Sequence, residues 1–427
     1  MQTYLLAGPA LMVKLHPKDS RLPSEKPEIT TNWFAILALF AAGIVAAMHF
    51  AKVSPVMDAL GQDLQLSLVA SGFAVSLLGI VGVGFAITIG TIVNAVGLQR
   101  GLLWALFGGA LIAALGSFAP NGPLFLLSRF AEGFSHLLIV VCAPALMAAH
   151  ASASDRPLAL ALWGCFFGLG FAITSAAAPF IVPAVGWRGL LLVHAAALLL
   201  IGAIVQMALQ NVGYHENPSH FPSLKTIANA HVAVFRSGAP VLLALTFCAY
   251  TILFLATLTF LKSFLMTRLA FSEAEAGSTL SLMALVSLAF TLSSGFLVRA
   301  GLRLFHGLAF SFAGLGLAAF GLFILQPGTI ASLLLLIVMM ACFGLLPGLV
   351  FSNVPAVAPT PQRATLTFGA IALFGNVGTF LGTPLFAAAF DWAGWSGGAA
   401  FIITMAFAGV ALAALLQASI NKQAISA

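Results

Sequence analysis

Apolar runs of roughly 20 residues, separated by short turns rich in Gly, Pro and polar side chains, recur from about Trp33 to Leu416. At about 1.5 Å per residue, a helix of that length spans the hydrocarbon core of a bilayer, about 30 Å thick. The runs predict helices near 33–53, 68–93, 101–119, 123–148, 157–182 and 188–209, and then near 240–262, 276–298, 305–325, 329–353, 365–389 and 397–418. The longest interior break, 210–239, contains Tyr214, His215, Glu216, Asn217, Pro218 and Ser219 and parts six predicted helices from six. The chain thus divides into an N-terminal arm (1–32), a bundle (33–209), a linker (210–239), a second bundle (240–418) and a tail (419–427). The expected fold class is an all-α membrane protein with twelve transmembrane helices in two pseudo-symmetric six-helix bundles.

The two sides of the linker resemble one another. Asp63-Leu64-Gln65-Leu66-Ser67 with Gly72 aligns with Arg268-Leu269-Ala270-Phe271-Ser272 with Gly277, at a constant offset of 205. Gly90 with Gly97-Leu98-Gln99-Arg100 corresponds to Gly295 with Gly301-Leu302-Arg303, and Gly133 and Pro144 correspond to Gly344 and Pro355 at an offset of 211. Parallel repeats of this kind place a substrate site between the halves near the bilayer midplane.

Composition agrees with lipid as the main solvent. Hydrophobic types make up 61% of the 427 residues and charged types 7%, against roughly a quarter charged in a soluble domain. The mean hydropathy is +1.10. The net charge of +6 comes from singly scattered basic residues, with no basic run interleaved with aromatics, so a nucleic-acid partner is not expected. Of the seventeen Lys and Arg, twelve fall on the side that holds both termini: Lys14, Lys18, Arg21, Lys26, Arg100, Arg156, Lys225, Arg236, Arg299, Arg303, Arg363 and Lys422. The positive-inside rule makes that side cytoplasmic. The four cysteines sit inside apolar segments without metal-ligand spacing, and Met48-His49 and His194 lack a second ligand at helical spacing, so no metal site is expected. No Gly-x-x-x-x-Gly-Lys-Ser/Thr phosphate loop occurs, which leaves gradients rather than nucleotide hydrolysis to drive any transport, and no cofactor is implied. At the N-terminus the apolar stretch Tyr4 to Val13 has no basic residue before it and a polar arm after it; a cleaved signal peptide is not expected, and Met12 offers an alternative start.

Several turns carry a more specific likeness. The segment Gly90-Thr91-Ile92-Val93-Asn94-Ala95-Val96-Gly97-Leu98-Gln99-Arg100 is similar to the glycine-acid-glycine-basic loop of the major facilitator superfamily, with Asn94 where an aspartate is usual. Arg129-Phe130-Ala131-Glu132-Gly133 resembles that family's fourth-helix motif. Gly164, Gly168, Gly170 and Pro179 resemble its fifth-helix glycine-proline pattern, and Gly186-Trp187-Arg188 resembles the exit from that helix. Asp155-Arg156 and Gln362-Arg363 fall at its interior basic turns. The likeness covers residues 33 to 418. It implies a monomeric secondary transporter of the bacterial inner membrane rather than an enzyme, with Gly90, Asn94, Gly97, Arg100, Gly301 and Arg303 at gating turns. In the family the acidic residue locks an interhelical charge relay; with Asn94 in its place, hydrogen bonds or other pairs must hold the inner gate.

An ionised residue near the centre of a membrane helix costs about 2.5–3.5 kcal/mol on insertion scales and marks a functional site by default. Arg129 and Glu132 are such residues, three apart on one helical face that His136 continues. They either neutralise each other structurally or serve transport, with Glu132 and His136 as proton-coupling candidates. Lys52 and Lys262 occupy equivalent positions, since Phe50-x-Lys52 repeats as Phe260-x-Lys262; each either snorkels to the headgroups or faces the central axis. Facing inward, Lys52, Lys262, Arg129, His49 and His194 outnumber Glu132 and attract anions. Asn376, inside Gly375-Asn376-Val377-Gly378, is the preferred uncharged substrate ligand, with helix-to-helix bonding as its other use. The candidate substrate residues are therefore Arg129, Lys52, Lys262, Asn376 and His49. No phenylalanine is assigned to a substrate cage. Three functions compete: proton-coupled movement of a small organic anion or polar metabolite, proton-driven efflux of lipophilic drugs, and a non-transporting receptor or scaffold. The third lacks the extramembrane surface it needs.

Overall fold

Helix starts are written in the local sequence. Asn32 and Asn121 each accept, through the side-chain oxygen, the backbone N–H three residues on, and Ser272 forms a capping box with Glu275. The computed structural model describes residues 30–66, 68–210 and 221–426. Helix α1 (Trp33–Ala51) leads through a 3-10 turn and the short α2 (Met57–Asp63) to α3 (Leu68–Val96), α4 (Leu98–Ser117), α5 (Gly122–His150), α6 (Arg156–Gly164) and α7 (Phe166–Gln210). The second half comprises α8 (Leu224–Phe235), α9 (Ala239–Arg268), α10 (Glu273–Arg299), α11 (Leu304–Ala319) with a π-helical end, α12 (Thr329–Ser352), the short α13 (Val354–Val357) and α14 (Pro361–Ser426). Among the described residues ten helices are long and apolar enough to cross a membrane. Two of these, α7 and α14, are broken, at Gly186 and at Ala393-Gly394, into two crossings each, which makes twelve. The fold is that of two six-helix halves.

The backbone repeats the internal duplication. Positive φ occurs at Gln65 (52°) and Ala270 (54°), at Gly97 (104°) and Gly301 (94°), and at Gly186 (68°) and Gly394 (57°). Each pair occupies the same turn of the two halves, so the turns that set helix order are built alike. The likeness stops at the proline pair: Pro144 lies inside α5, whereas Pro355 lies in α13, after the chain has left the helix at Asn353.

One expected boundary needs correction, and the linker and tail both carry helix. Within the linker Leu224–Phe235 forms α8, capped by Ser223; positions 211–220, including Tyr214 to Ser219, lie outside the described residues. Helix α14 runs on through the expected tail to Ser426. Helix α9 continues past 262 to Arg268, which puts Lys262 inside the helix rather than at its end. The sequence expectations for the first 29 residues, the possible start at Met12 among them, also lie outside the described residues.

The halves meet along the face that carries Arg100, Arg156, Arg299 and Arg363. Asn94 donates from Nδ2 to the Gln362 carbonyl (3.2 Å), Ser352 Oγ donates to the Pro157 carbonyl (2.7 Å), and Arg299 pairs with Asp155 (3.3 Å). Glycines allow this approach: a Cβ on Gly295 would sit 2.8 Å from Leu158 Cα, and one on Gly164 3.2 Å from Gly348 N. Toward the opposite face, Gly72 and its counterpart Gly277 have nothing within 4 Å of a Cβ position. An open pocket of about 510 Å³ there is lined by Ser54, Pro55, Ser175, Pro179 and Pro183.

Candidate functional site

Glu132 is the anion around which the first half is organised. It lies at the middle of α5, is fully buried, and receives three cationic or donor groups from two helices. Arg129, one turn earlier on α5, donates to Oε2 through Nη1. Lys52, the C-cap of α1, donates from Nζ to Oε1 at 2.9 Å, and His49 Nδ1 lies 3.0 Å from Oε2. A second layer holds these partners. Arg129 also donates from Nε to the Ala74 carbonyl of α3 (2.8 Å) and from Nη2 to the His49 carbonyl. Lys52 Nζ lies 3.0 Å from Nδ1 of His194, on the second crossing of α7, and His194 donates from Nε2 to the Val45 carbonyl at 2.9 Å. His49 Nε2 faces Ser135 Oγ at 3.2 Å, and that hydroxyl is 2.8 Å from the Ala105 carbonyl of α4.

The carbonyl partners fix the histidine tautomers. His194 carries its proton on Nε2, which leaves Nδ1 bare to accept from the Lys52 ammonium. His136, next along the α5 face, donates from Nδ1 to the Ala46 carbonyl (2.9 Å) and packs edge-on against Phe50. Its Nε2 therefore keeps the lone pair. His49 and His194 meet as a T-shaped pair with ring centroids 4.6 Å apart. Two cations, Arg129 and Lys52, then stand against one carboxylate, all three at 1% exposure or less. A buried arrangement of this kind persists only where hydrogen bonds occupy the charged groups, and removing one partner of a buried pair costs about 3–5 kcal/mol.

The other candidates lie elsewhere. Lys262 is half-buried on α9 in the second half and is not one of the groups that contact Glu132. Asn376 donates from Nδ2 to its own helix at the Ala372 carbonyl (2.7 Å), and its carboxamide fills a notch in α3, where a Cβ on Gly82 would come within 2.6 Å of Asn376 Cγ. It sits between the halves rather than in an open cavity. Gly90 faces the Thr365 carbonyl and Leu366 of the other half, Gly97 and Gly301 hold the left-handed turns, and Arg100 and Arg303 are exposed on the same face. Sequence analysis missed Ser135 and the tie between Arg299 and Asp155, and it listed His194 without a partner. Nothing in the sequence links Lys52 to a histidine 142 positions away. It also assigned no aromatic cage, yet Tyr250 stacks on Phe254 (5.4 Å) beside Phe247 and Phe343, and Phe50 meets Phe167 (5.9 Å) in the first half.

Comparison with known proteins adds a family. The sequence profile of the Major Facilitator Superfamily matches residues 36–382. No curated protein matches the chain. Among solved structures, the proton:xylose symporter XylE bound to 6-bromo-6-deoxy-D-glucose is 15% identical over 90% of this chain and 94% of its own, with a TM-score of 0.68. FucP, a major facilitator transporter in the outward conformation, is 16% identical over 90% and 98%, with a TM-score of 0.69. The human organic anion transporter MFSD10 (TETRAN) is 17% identical over 91% and 100%, with a TM-score of 0.67. At these identities the likeness to solved structures is one of fold.

Proposed function

Because the chain belongs to the major facilitator superfamily, and is therefore a multi-pass membrane transporter rather than an enzyme, we propose that it moves a small organic anion or polar metabolite by alternating access, coupled to protons. The observation that carries this reading is the sealed cluster around Glu132, in which buried cations outnumber the buried anion. An excess positive charge in a low-dielectric half raises the local concentration of anions in the adjoining cavity without any direct contact. Arg129 and Lys52 supply that field and His49 holds the Glu132 carboxylate between them, Glu132 and His136 belong to the proton-coupling machinery, and Lys262 and Asn376 are the second half's contribution to substrate binding once the halves part. Gly90, Asn94, Gly97, Arg100, Gly301 and Arg303 gate the basic face, which the positive-inside rule makes cytoplasmic in a bacterial inner membrane. With contacts between the halves along that face, this is a state closed at the basic face. The same scaffold carries proton symporters and an organic anion transporter, so both chemistries are within its range.

The aromatic groups around Tyr250 and Phe50 favour a second reading, proton-driven efflux of lipophilic compounds. Proteoliposomes offered radiolabelled mono- and dicarboxylates, sugars and cationic dyes, with and without a pH gradient, separate the two. Uptake of carboxylates driven by the gradient is the expected result. Gradient-driven movement of dyes alone overturns the anion assignment, and no response to the gradient in any arm overturns the coupling.

A further inference from the structure

The cluster has three groups able to change charge without losing a contact partner, and they differ in what the change does to the total. Glu132 is not one of them, because protonation would strip the partner from Arg129, Lys52 and His49 together. His136 is tied to the Ala46 carbonyl through Nδ1 and takes a proton at Nε2, adding a cation near Arg129. His49 also has room: with Ser135 Oγ donating to the Ala105 carbonyl, that hydroxyl accepts from a protonated Nε2 while Nδ1–H stays on Glu132. Either histidine, once protonated, places a third cation against one carboxylate. Lys52 works in the opposite sense. Its ammonium has three N–H groups, of which Glu132 takes one and His194 another. Loss of the third proton leaves both hydrogen bonds in place and reduces the cluster to one cation, Arg129, facing one anion, Glu132.

Charge balance decides between them, since unlike charges left unbalanced inside a low-dielectric bundle are the most costly arrangement on offer. We propose that Lys52 is the residue that carries the coupling proton, and that it exchanges that proton with water from the open pocket beside Ser54 and Pro55. The inference rests on the proton-coupled reading above and deepens it. The groups that face Lys52 are His49 of its own helix, Arg129 and Glu132 of α5, and His194 of α7, with His136 beyond them beside His49 and Arg129; α3 and α4 present the Ala74 and Ala105 carbonyls to the cluster. The pocket of about 510 Å³ lies within the first half and is lined by Ser54 and Pro55, two and three positions past Lys52, so the chain that follows Lys52 borders open space while its ammonium is buried against Glu132 and His194. Protonated, the cluster has one net positive charge and attracts an anion; deprotonated, it is balanced and releases that attraction. Ordered in this way, proton and anion bind together and leave together.

A test on the protein alone needs no substrate. Spin labels on Phe118→Cys and Leu325→Cys, exposed positions at the pocket-side ends of the two halves, report the separation of the halves in nanodiscs. The parent is expected to shift its distance distribution between mildly acid and mildly alkaline buffer. Lys52→Met and Lys52→Arg are each expected to show one distribution that does not respond to pH, and to differ from one another. His49→Gln and His136→Gln, which alter the surroundings of Lys52 but leave it in place, should still respond to pH, with the midpoint of the shift moved. The proposal is overturned if the parent shows no shift, if Lys52→Met keeps it, or if either histidine variant loses it. Should neither Lys52 variant reach the membrane, the two histidine variants decide. A failure of transport in the proteoliposome panel bears on the transporter reading and leaves this measurement intact.

Discussion

At the scale of single residues, Arg129 shows how geometry changes an expectation. From the sequence alone it is either the structural partner of Glu132 or a cation that attracts substrate anions. In the structure its Nε, Nη1 and Nη2 go to three separate partners, the Ala74 carbonyl, Glu132 and the His49 carbonyl, so a lysine reproduces only one of the three. Arg129→Lys is therefore expected to lose most activity, and Arg129→Ala to lower stability by about 3–5 kcal/mol, since it leaves Glu132 short of a partner in the core. Thermal unfolding in detergent checks both. The double variant Arg129→Ala with Glu132→Gln should recover part of that loss, and a double variant as unstable as the single one would show that the pair is not coupled. The candidate site was half legible for a physical reason. Arg129, Glu132, Lys52 and His49 stand out because ionisable groups are costly in lipid, whereas Ser135 is chemically ordinary and His194 acquires a role only through a helix packed against α1.

At the scale of elements, the tight turns and the glycine contacts make separable predictions. Gly301 has φ 94° and no atom within 4 Å of a Cβ position, so Gly301→Val meets backbone strain alone. The expected cost is about 1–2 kcal/mol with slowed transport and normal insertion, and Gly97→Val should behave alike. Transport at the parental rate in both variants would remove these turns from the gate. Gly295→Leu acts differently, because its side chain would meet Leu158 and Ala161 of the other half. It should hold the basic face apart while each half stays folded. Maleimide labelling of a cysteine at Ser352, whose hydroxyl is buried against the Pro157 carbonyl, is then expected to become several-fold faster. Helix positions were readable from hydropathy because each crossing must satisfy its backbone internally. The breaks at Gly186 and Ala393-Gly394 fell between predicted helices, but α8 did not emerge, since a short interfacial helix has neither the length nor the continuous apolar run that marks a crossing.

For the whole molecule, the duplication was the most reliable guide. An offset of 205 in the sequence reappears as matched left-handed backbone at Gln65 and Ala270, so the repeat is a repeat of geometry and not only of composition. What the sequence did not carry was the state of the two halves, because which face is closed depends on contacts such as those of Asn94 with Gln362 and Arg299 with Asp155. Topology is open to a direct check: a cysteine at Ser219 should remain unlabelled by an impermeant maleimide in intact cells, and labelling from outside would reverse the orientation. The central claim is that transport requires the halves to separate at the basic face. Cysteines at Asn94, whose Nδ2 lies 3.2 Å from the Gln362 main-chain carbonyl across the interface, and at Gln362 itself, joined by a short thiol crosslinker, test it most directly. Crosslinking is expected to proceed without substrate, to stop gradient-driven uptake in proteoliposomes and to be reversed by reductant; uptake at the uncrosslinked rate with the bridge in place would show that the halves need not separate there.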